Sequence, residues 1–214
     1  MPVAVKICGI ITQDALEAAI VAGADCAGIN FFPPSPRFAN AETARRMNDT
    51  AAGRIPLVGV FVDPTDAEIE AALADATLSA LQLNRTTALR RGHIRESFGL
   101  PVWAVIEVES HLDTLAANHI DAADFLLWDA KTPKGSALPG GMGHAFDWSL
   151  IARADPPLPW GLAGGLNPGN VAAAIAATGA PLVDTASGVE SAPGIKDPGL
   201  IAAFCAAARA QGRA

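Results

Sequence analysis

Two residues of acid–base type close short apolar runs: Cys8 follows Val3-Ala4-Val5-Lys6-Ile7, and Asp129 follows Phe125-Leu126-Leu127-Trp128. A carboxyl at the end of such a run is partly desolvated, which raises its pKa and suits a general acid; bracing a loop or helix end is the alternative. Cysteine is most often a small buried filler. Here Lys6 stands two residues earlier, on the same side of an extended segment. A cation so placed favours a thiolate able to act as base or nucleophile. Arg37, in Ser35-Pro36-Arg37, is either a solvated loop charge or a two-pronged grip on a substrate carboxylate. Asp184 ends another apolar run and would pair with a sugar hydroxyl or brace a Lys or Arg, and Gln82 stands near a fourth such end.

Residues 159–190 add a different chemistry. Two apolar runs, Trp160-Gly161-Leu162-Ala163 and Pro181-Leu182-Val183, lead into the glycine-bearing corners Gly164-Gly165 and Ser187-Gly188. Asn167-Pro168 and a helix-like Val171–Thr178 follow the first corner. Glycine lets the backbone approach a ligand and turn successive N–H groups toward it, and a helix start nearby favours an anion. One such corner is as readily an ordinary turn. Two in succession read as a phosphate site made by Gly164, Gly165, Ser187 and Gly188.

These residues need elements to hold them. Eight β-branched or apolar segments recur along the chain, at residues 3–8, 26–32, 56–62, 79–83, 101–108, 124–129, 160–163 and 182–185. Their continuous apolar character implies strands buried on both faces, as in a parallel sheet. Alanine-rich helical patterns with recognisable starts separate them. Thr12 or Asp14 caps the first, Thr65 or Asp66 the third, and Asn167-Pro168 and Asp197-Pro198 each offer a cap followed by proline in the first turn. Residues 131–144, with two prolines and four glycines, are too long for a simple turn and read as an active-site loop. The repeat, without a linker-like change in composition, predicts a single (β/α)8 barrel over residues 1–214, of the TIM-barrel class. An open doubly wound sheet is the alternative. In a barrel the named residues fall at the C-terminal strand ends, where such folds work.

Composition narrows the partners. Half of the 214 residues are apolar and 17% are charged, so the chain can bury a full core. A net charge of −7 offers no basic face for nucleic acid, and an anionic substrate would need local positive groups. Three cysteines make no disulfide framework, and the four histidines show no metal-ligand spacing. No signal-like or membrane-spanning stretch is legible, so a soluble cytoplasmic protein is expected, as a monomer or homodimer.

In order along the chain, Lys6-Ile7-Cys8-Gly9-Ile10, Ser35-Pro36-Arg37, Val58-Gly59-Val60-Phe61-Val62, Leu81-Gln82-Leu83 and Phe146-Asp147-Trp148 stand as fixed words. Leu162-Ala163-Gly164-Gly165-Leu166, Ser187-Gly188-Val189-Glu190, Pro193-Gly194 and Lys196-Asp197 complete the set. Together they resemble phosphoribosylanthranilate isomerases of tryptophan biosynthesis. The resemblance implies a (β/α)8 barrel and an Amadori rearrangement of an N-(5-phosphoribosyl)-aminobenzoate, a small phosphosugar substrate, with no cofactor or metal. It also implies that Cys8 is the general base and Asp129 the general acid. Arg37 would hold the anthranilate carboxylate, and Gly164, Gly165, Ser187 and Gly188 the phosphate. The chain departs from the family's usual words at Asn84-Arg85, Met142, Thr185-Ala186 and Trp103-Ala104. The alternatives of the same fold are an enzyme for another phosphosugar amine and a silent phosphate-ligand binder. A binder has no need of a matched acid–base pair.

Overall fold

The computed structural model describes residues 2–116, 120–131, 147–152, 154 and 156–211. Eight parallel strands close into a barrel in sequence order: β1 (Ala4–Cys8), β2 (Cys26–Asn30), β3 (Leu57–Val62), β4 (Ala80–Asn84), β5 (Val102–Val108), β6 (Phe125–Ala130), β7 (Trp160–Leu162) and β8 (Leu182–Thr185). The helices are α1 (Gln13–Val21), α2 (Ala41–Ala51), α3 (Asp66–Asp75), α4 (Ala88–Phe98), α5 (His111–Ala116), α6 (Val171–Thr178) and α7 (Pro198–Gln211). Between β6 and β7 the described residues hold a short 3₁₀ turn, Trp148–Leu150, which Asp147 caps by accepting from the Ser149 N–H at 2.9 Å. The loop expected at residues 131–144 lies, except for Lys131, outside the described residues. After β8 comes a small antiparallel hairpin, β9 (Glu190–Ala192) with β10 (Ile195–Lys196).

Strand alternation sets which side chains face the site. Val5 and Ile7 of β1 and Leu126 and Trp128 of β6 join the main core with helix residues such as Leu16, Met47, Ile69 and Phe204. Each fully buried aliphatic side chain there contributes about 1.5–3 kcal/mol. With those residues outward, Lys6 and Cys8, and Leu127 and Asp129, must point inward. The barrel's own filling is smaller. Cys26, Val58 and Ala80 form one interior cluster, Leu127, Ala163 and Leu182 another, and Trp103 packs against both. Trp103 stacks on Phe125 with ring centroids 4.4 Å apart, so the departure at this position plugs the barrel below the cleft.

The caps follow their residue types. Thr12, rather than Asp14, caps α1 through the Ala15 N–H. Thr65 and Glu68 complete a reciprocal capping box at α3. Asp197 caps α7 by accepting from the Leu200 N–H at 2.9 Å, with Pro198 in the first turn. Asn167 does not cap a helix. Its side chain folds onto the Gly169 N–H at 2.9 Å, Asn170 turns back to the Asn167 N–H, and α6 starts only at Val171. Short polar side chains close local turns as readily as helix ends. Among the described residues no helix is long and apolar enough to cross a membrane.

Candidate active site

The C-terminal ends of the strands open on one cleft. Cys8, Arg37, Gln82, Asp129, Gly164, Gly165, Asp184 and Ser187 all line it, with Asn30, Asn84, Thr185 and Ala186. Of the residues singled out from sequence, Gly188 is not among the lining. A Cβ there would fall 1.9 Å from the Leu166 carbonyl oxygen, which also accepts the Thr185 hydroxyl at 2.7 Å. Gly188 thus lets the second corner press against the first. Gly164 and Gly165 have φ of +87° and +63°, and a Cβ on Gly164 would strike the Ala130 backbone at 2.5 Å. At the first corner glycine answers both a conformational and a steric demand.

Beneath Cys8 lies a buried charge pair. Lys6 is fully buried, and its Nζ donates to Asp184 Oδ2 at 2.8 Å; the two residues sit directly opposite in the β1–β8 register. Gly28, opposite Cys8 on β2, makes the room: a Cβ there would lie 2.8 Å from the thiol and 3.3 Å from the ammonium. Burial is the largest influence and works against the Lys6 charge, but Asp184 together with Cys8 and Cys26 outweighs it and holds the ammonium above its ordinary pKa. The thiol of Cys8 is pushed up by burial, and Lys6 offsets only part of that rise. The sequence expectation that Lys6 favours a thiolate is therefore right in sign for the lysine alone and reversed in total, because desolvation of the anion is the larger effect. Cys26, in the barrel interior, is pushed up to about 12 by burial.

Asp129 is the next-to-last residue of β6, one position before the strand ends at Ala130. Its Oδ1 accepts the Ala130 N–H at 2.8 Å. Burial, then the neighbouring charge of Asp184, raise its carboxyl to about 7. Glu107, its register partner on β5, adds to the rise. Gln82 Oε1 and Asp184 Oδ1 are buried acceptors with no hydrogen-bond partner among the described residues. Both belong to cleft-lining side chains, so each is ready for a donor from a ligand. Asn84 donates to the Phe61 carbonyl at 3.0 Å. Arg85 turns to Glu107, 3.6 Å away, and is not among the cleft lining. Met142 lies outside the described residues.

Arg37 is buried. Its Nε and Nη2 donate to the two oxygens of Glu190 at 2.7 and 2.8 Å. Burial works to raise the Glu190 carboxyl, yet Arg37 and Lys196 together hold it below the usual carboxylate range. Burial lowers the Lys196 ammonium despite Glu190 beside it. Among the described residues no group of three or more His, Cys, Asp or Glu side chains could hold a metal ion.

A thiol and a raised carboxyl thus face one cleft with an arginine and two glycine corners. The sequence profile of the family described as N-(5'-phosphoribosyl)anthranilate (PRA) isomerase matches residues 5–207. The chain belongs to the PRA isomerase family. The isomerase of Paramagnetospirillum magneticum is 50% identical over 211 residues, covering 98% of both chains. That of Rhodopseudomonas palustris strain BisB5 is 45% identical, over 98% of this chain and 97% of the relative. Among solved structures, the Thermotoga maritima PRA isomerase superposes with a TM-score of 0.87 at 34% identity, covering 97% and 99% of the two chains. A PRA isomerase in complex with reduced 1-(o-carboxyphenylamino)-1-deoxyribulose 5-phosphate gives 0.82 at 31% identity with the same coverage.

Within this PRA isomerase barrel, three charged residues lay outside the sequence-based assignment. Glu107 is an ordinary glutamate in a strand, and only its register with Asp129 gives it meaning. Glu190 and Lys196 belonged to family-like words but carried no chemistry of their own until the fold set them against Arg37.

Proposed function

We propose that this chain catalyses the Amadori rearrangement of N-(5-phosphoribosyl)anthranilate to 1-(o-carboxyphenylamino)-1-deoxyribulose 5-phosphate. The observation that carries the reading is that Cys8 and Asp129 open on the same cleft as Arg37, Gly164, Gly165 and Ser187. Asp129, protonated up to about pH 7, gives its proton to the ribose ring oxygen as the C1'–O bond breaks, leaving a protonated Schiff base. Cys8, as thiolate, takes the C2' proton, and that electron pair forms the C1'–C2' double bond while the iminium nitrogen becomes an amine. The enol then loses its hydroxyl proton and gains one at C1', giving the ketose. Arg37 holds the anthranilate carboxylate with guanidinium N–H groups. Backbone N–H groups at Gly164-Gly165 and Ser187-Gly188 hold the phosphate. Gln82 and Asp184 accept from sugar hydroxyls, and no cofactor takes part. The setting is cytoplasmic, with the chain acting as monomer or homodimer.

The test is to generate phosphoribosylanthranilate in situ and follow loss of its fluorescence with purified protein. Turnover that Arg37→Ala weakens by at least about tenfold is expected, since a charged hydrogen-bond pair is worth about 1.5–3 kcal/mol. The same gene should rescue a tryptophan auxotroph lacking this isomerase. Absence of both turnover and rescue with folded protein would defeat the reading and leave the enzyme for another phosphosugar amine in its place.

A further inference from the structure

Glu190 and Lys196 have no part in the steps above, yet they stand between the two ends of the cleft that recognise anions. Glu190 accepts Arg37 Nε at 2.7 Å and Nη2 at 2.8 Å, and its Oε1 also accepts Lys196 Nζ at 2.7 Å. The same ammonium donates to the Ala186 carbonyl at 2.8 Å. The side chains of Lys196 and Glu190 are only 1% and 4% exposed. Lys196 and Glu190 belong to the β9–β10 hairpin, which is seated on the arginine's loop. Gly194 at its turn has φ +82°, and a Cβ there would fall 2.5 Å from the Pro36 carbonyl oxygen.

Two physical arguments turn these contacts into a role. First, a buried ion cluster is a poor way merely to fasten a hairpin, because desolvation cancels much of its attraction and apolar packing would do as well. Directional bonds are what it supplies beyond apolar packing. Second, the peptide between Ala186 and Ser187 is planar and trans, so its C=O and N–H point in opposite directions. Lys196 holds the carbonyl and thereby fixes where the Ser187 N–H is aimed, and Ser187 lines the cleft.

We propose that Glu190 and Lys196 are positioning residues: together they set the Arg37 guanidinium and the Ala186–Ser187 peptide, and so fix the spacing between the carboxylate-reading and phosphate-reading ends of the cleft. The role rests on the function proposed above. It makes the cleft a ruler for a ligand with two anionic ends.

The probe is reduced 1-(o-carboxyphenylamino)-1-deoxyribulose 5-phosphate, titrated calorimetrically beside inorganic phosphate, so that binding is read independently of turnover. Glu190→Gln should weaken the two-anion probe about tenfold while changing phosphate affinity less than about threefold. KM for phosphoribosylanthranilate should rise with it and kcat change little. Lys196→Met should weaken both probes. In an Arg37→Ala background, Glu190→Gln should cost the two-anion probe almost nothing further, because its effect runs through the guanidinium. Should Glu190→Gln fail to fold, Glu190→Asp keeps the charge but withdraws it by one methylene, and should still lose about fivefold on the two-anion probe. Equal losses with and without Arg37, or wild-type binding by folded Glu190→Asp, would overturn the role. Wild-type protein that binds the two-anion probe without turning over substrate would defeat the proposed function and leave this role standing. Failure to bind it at all would defeat both.

Discussion

The two walls of the cleft treat Cys8 and Asp129, the proposed base and acid, alike in burial and oppositely in charge. On the β1–β8 side, Cys8 sits above the Lys6 ammonium, which offsets part of the rise that burial imposes on the thiol. On the β6 side, Asp129 meets carboxylates, Asp184 and Glu107, which add to the rise. Asp184 belongs to both walls, paired with Lys6 and acting on Asp129. Burial alone would make both groups reluctant to ionise. Lys6 and Asp184 each act on both groups, but Lys6 is the stronger charge on Cys8 and Asp184 the stronger on Asp129, which helps one to lose its proton and the other to keep it. That division is what a base facing an acid requires.

Removing either reactive group breaks the comparison most severely. General acid–base groups contribute about 10²–10⁴-fold, so Cys8→Ala and Asp129→Asn should each lower kcat by a factor in that range. KM should change much less, since neither group has to hold the ground state. Steady-state kinetics on phosphoribosylanthranilate would decide it. A loss below about tenfold in both variants would mean that the two walls do not do the chemistry.

Changing the neighbours instead of the groups sharpens the comparison. The productive form has a Cys8 thiolate and an Asp129 carboxylic acid. Asp129 titrates near 7 and the buried thiol lies above the ordinary thiol value, so this form is the minor one of the two singly protonated states. It still rises and falls with their sum. The rate should therefore climb to about pH 7, stay level, and fall only where the thiol ionises. Asp184→Asn removes a charge that raises Asp129 and should move the lower limb to lower pH. Lys6→Met removes the charge that lowers Cys8 and should move the upper limb to higher pH. Because Asp184 also raises Cys8 and Lys6 also lowers Asp129, each variant moves the other limb more weakly in the same direction, and kcat/KM on the plateau should drop about tenfold for each unit by which the two pKa values part. Limbs that stay put in both variants would show that the neighbours do not set the division.

The walls were legible in the sequence to different depths. The barrel itself was, because eight apolar runs buried on both faces leave few other closures. Cys8 and Asp129 were legible because each ends a run whose alternate residues, Val5 and Ile7 or Leu126 and Trp128, claim the outer face. The balance at Cys8 was not, since the sequence shows the adjacent lysine but not the depth at which the pair lies. Glu107 was not either, because its influence depends on strand register with Asp129. The Asn167 cap failed for a local reason: an asparagine can satisfy a turn two residues on instead of a helix end. Arg37 was singled out in the sequence as a candidate carboxylate grip, but its hold on Glu190 joins residues 153 positions apart, a distance no spacing rule spans.

The smallest effect concerns what the acid wall does to stability. The carboxyl of Asp129 has an ordinary value of 3.8 and a folded value of about 7. A group raised in this way supports folding below its unfolded value and loses that support as pH rises through the folded one. Above pH 7 the folded protein holds an ionised, poorly solvated carboxylate close to two others. A shift of this size corresponds to about 4 kcal/mol at complete burial, and contact with cleft water reduces it to about 1–3 kcal/mol. Asparagine has nearly the same shape and never ionises. Asp129→Asn should therefore be more stable than the native chain at pH 8 by about that amount, and by less at pH 5, where the folded native carboxyl is still protonated. Urea unfolding at the two pH values reads the difference directly. The gain in stability should accompany the loss in rate, as expected where a site keeps a charge poised for chemistry at the expense of the fold. Equal stability changes at pH 5 and pH 8 would show that Asp129 is not held near 7, and the contrast between the two walls would then lose its acid side.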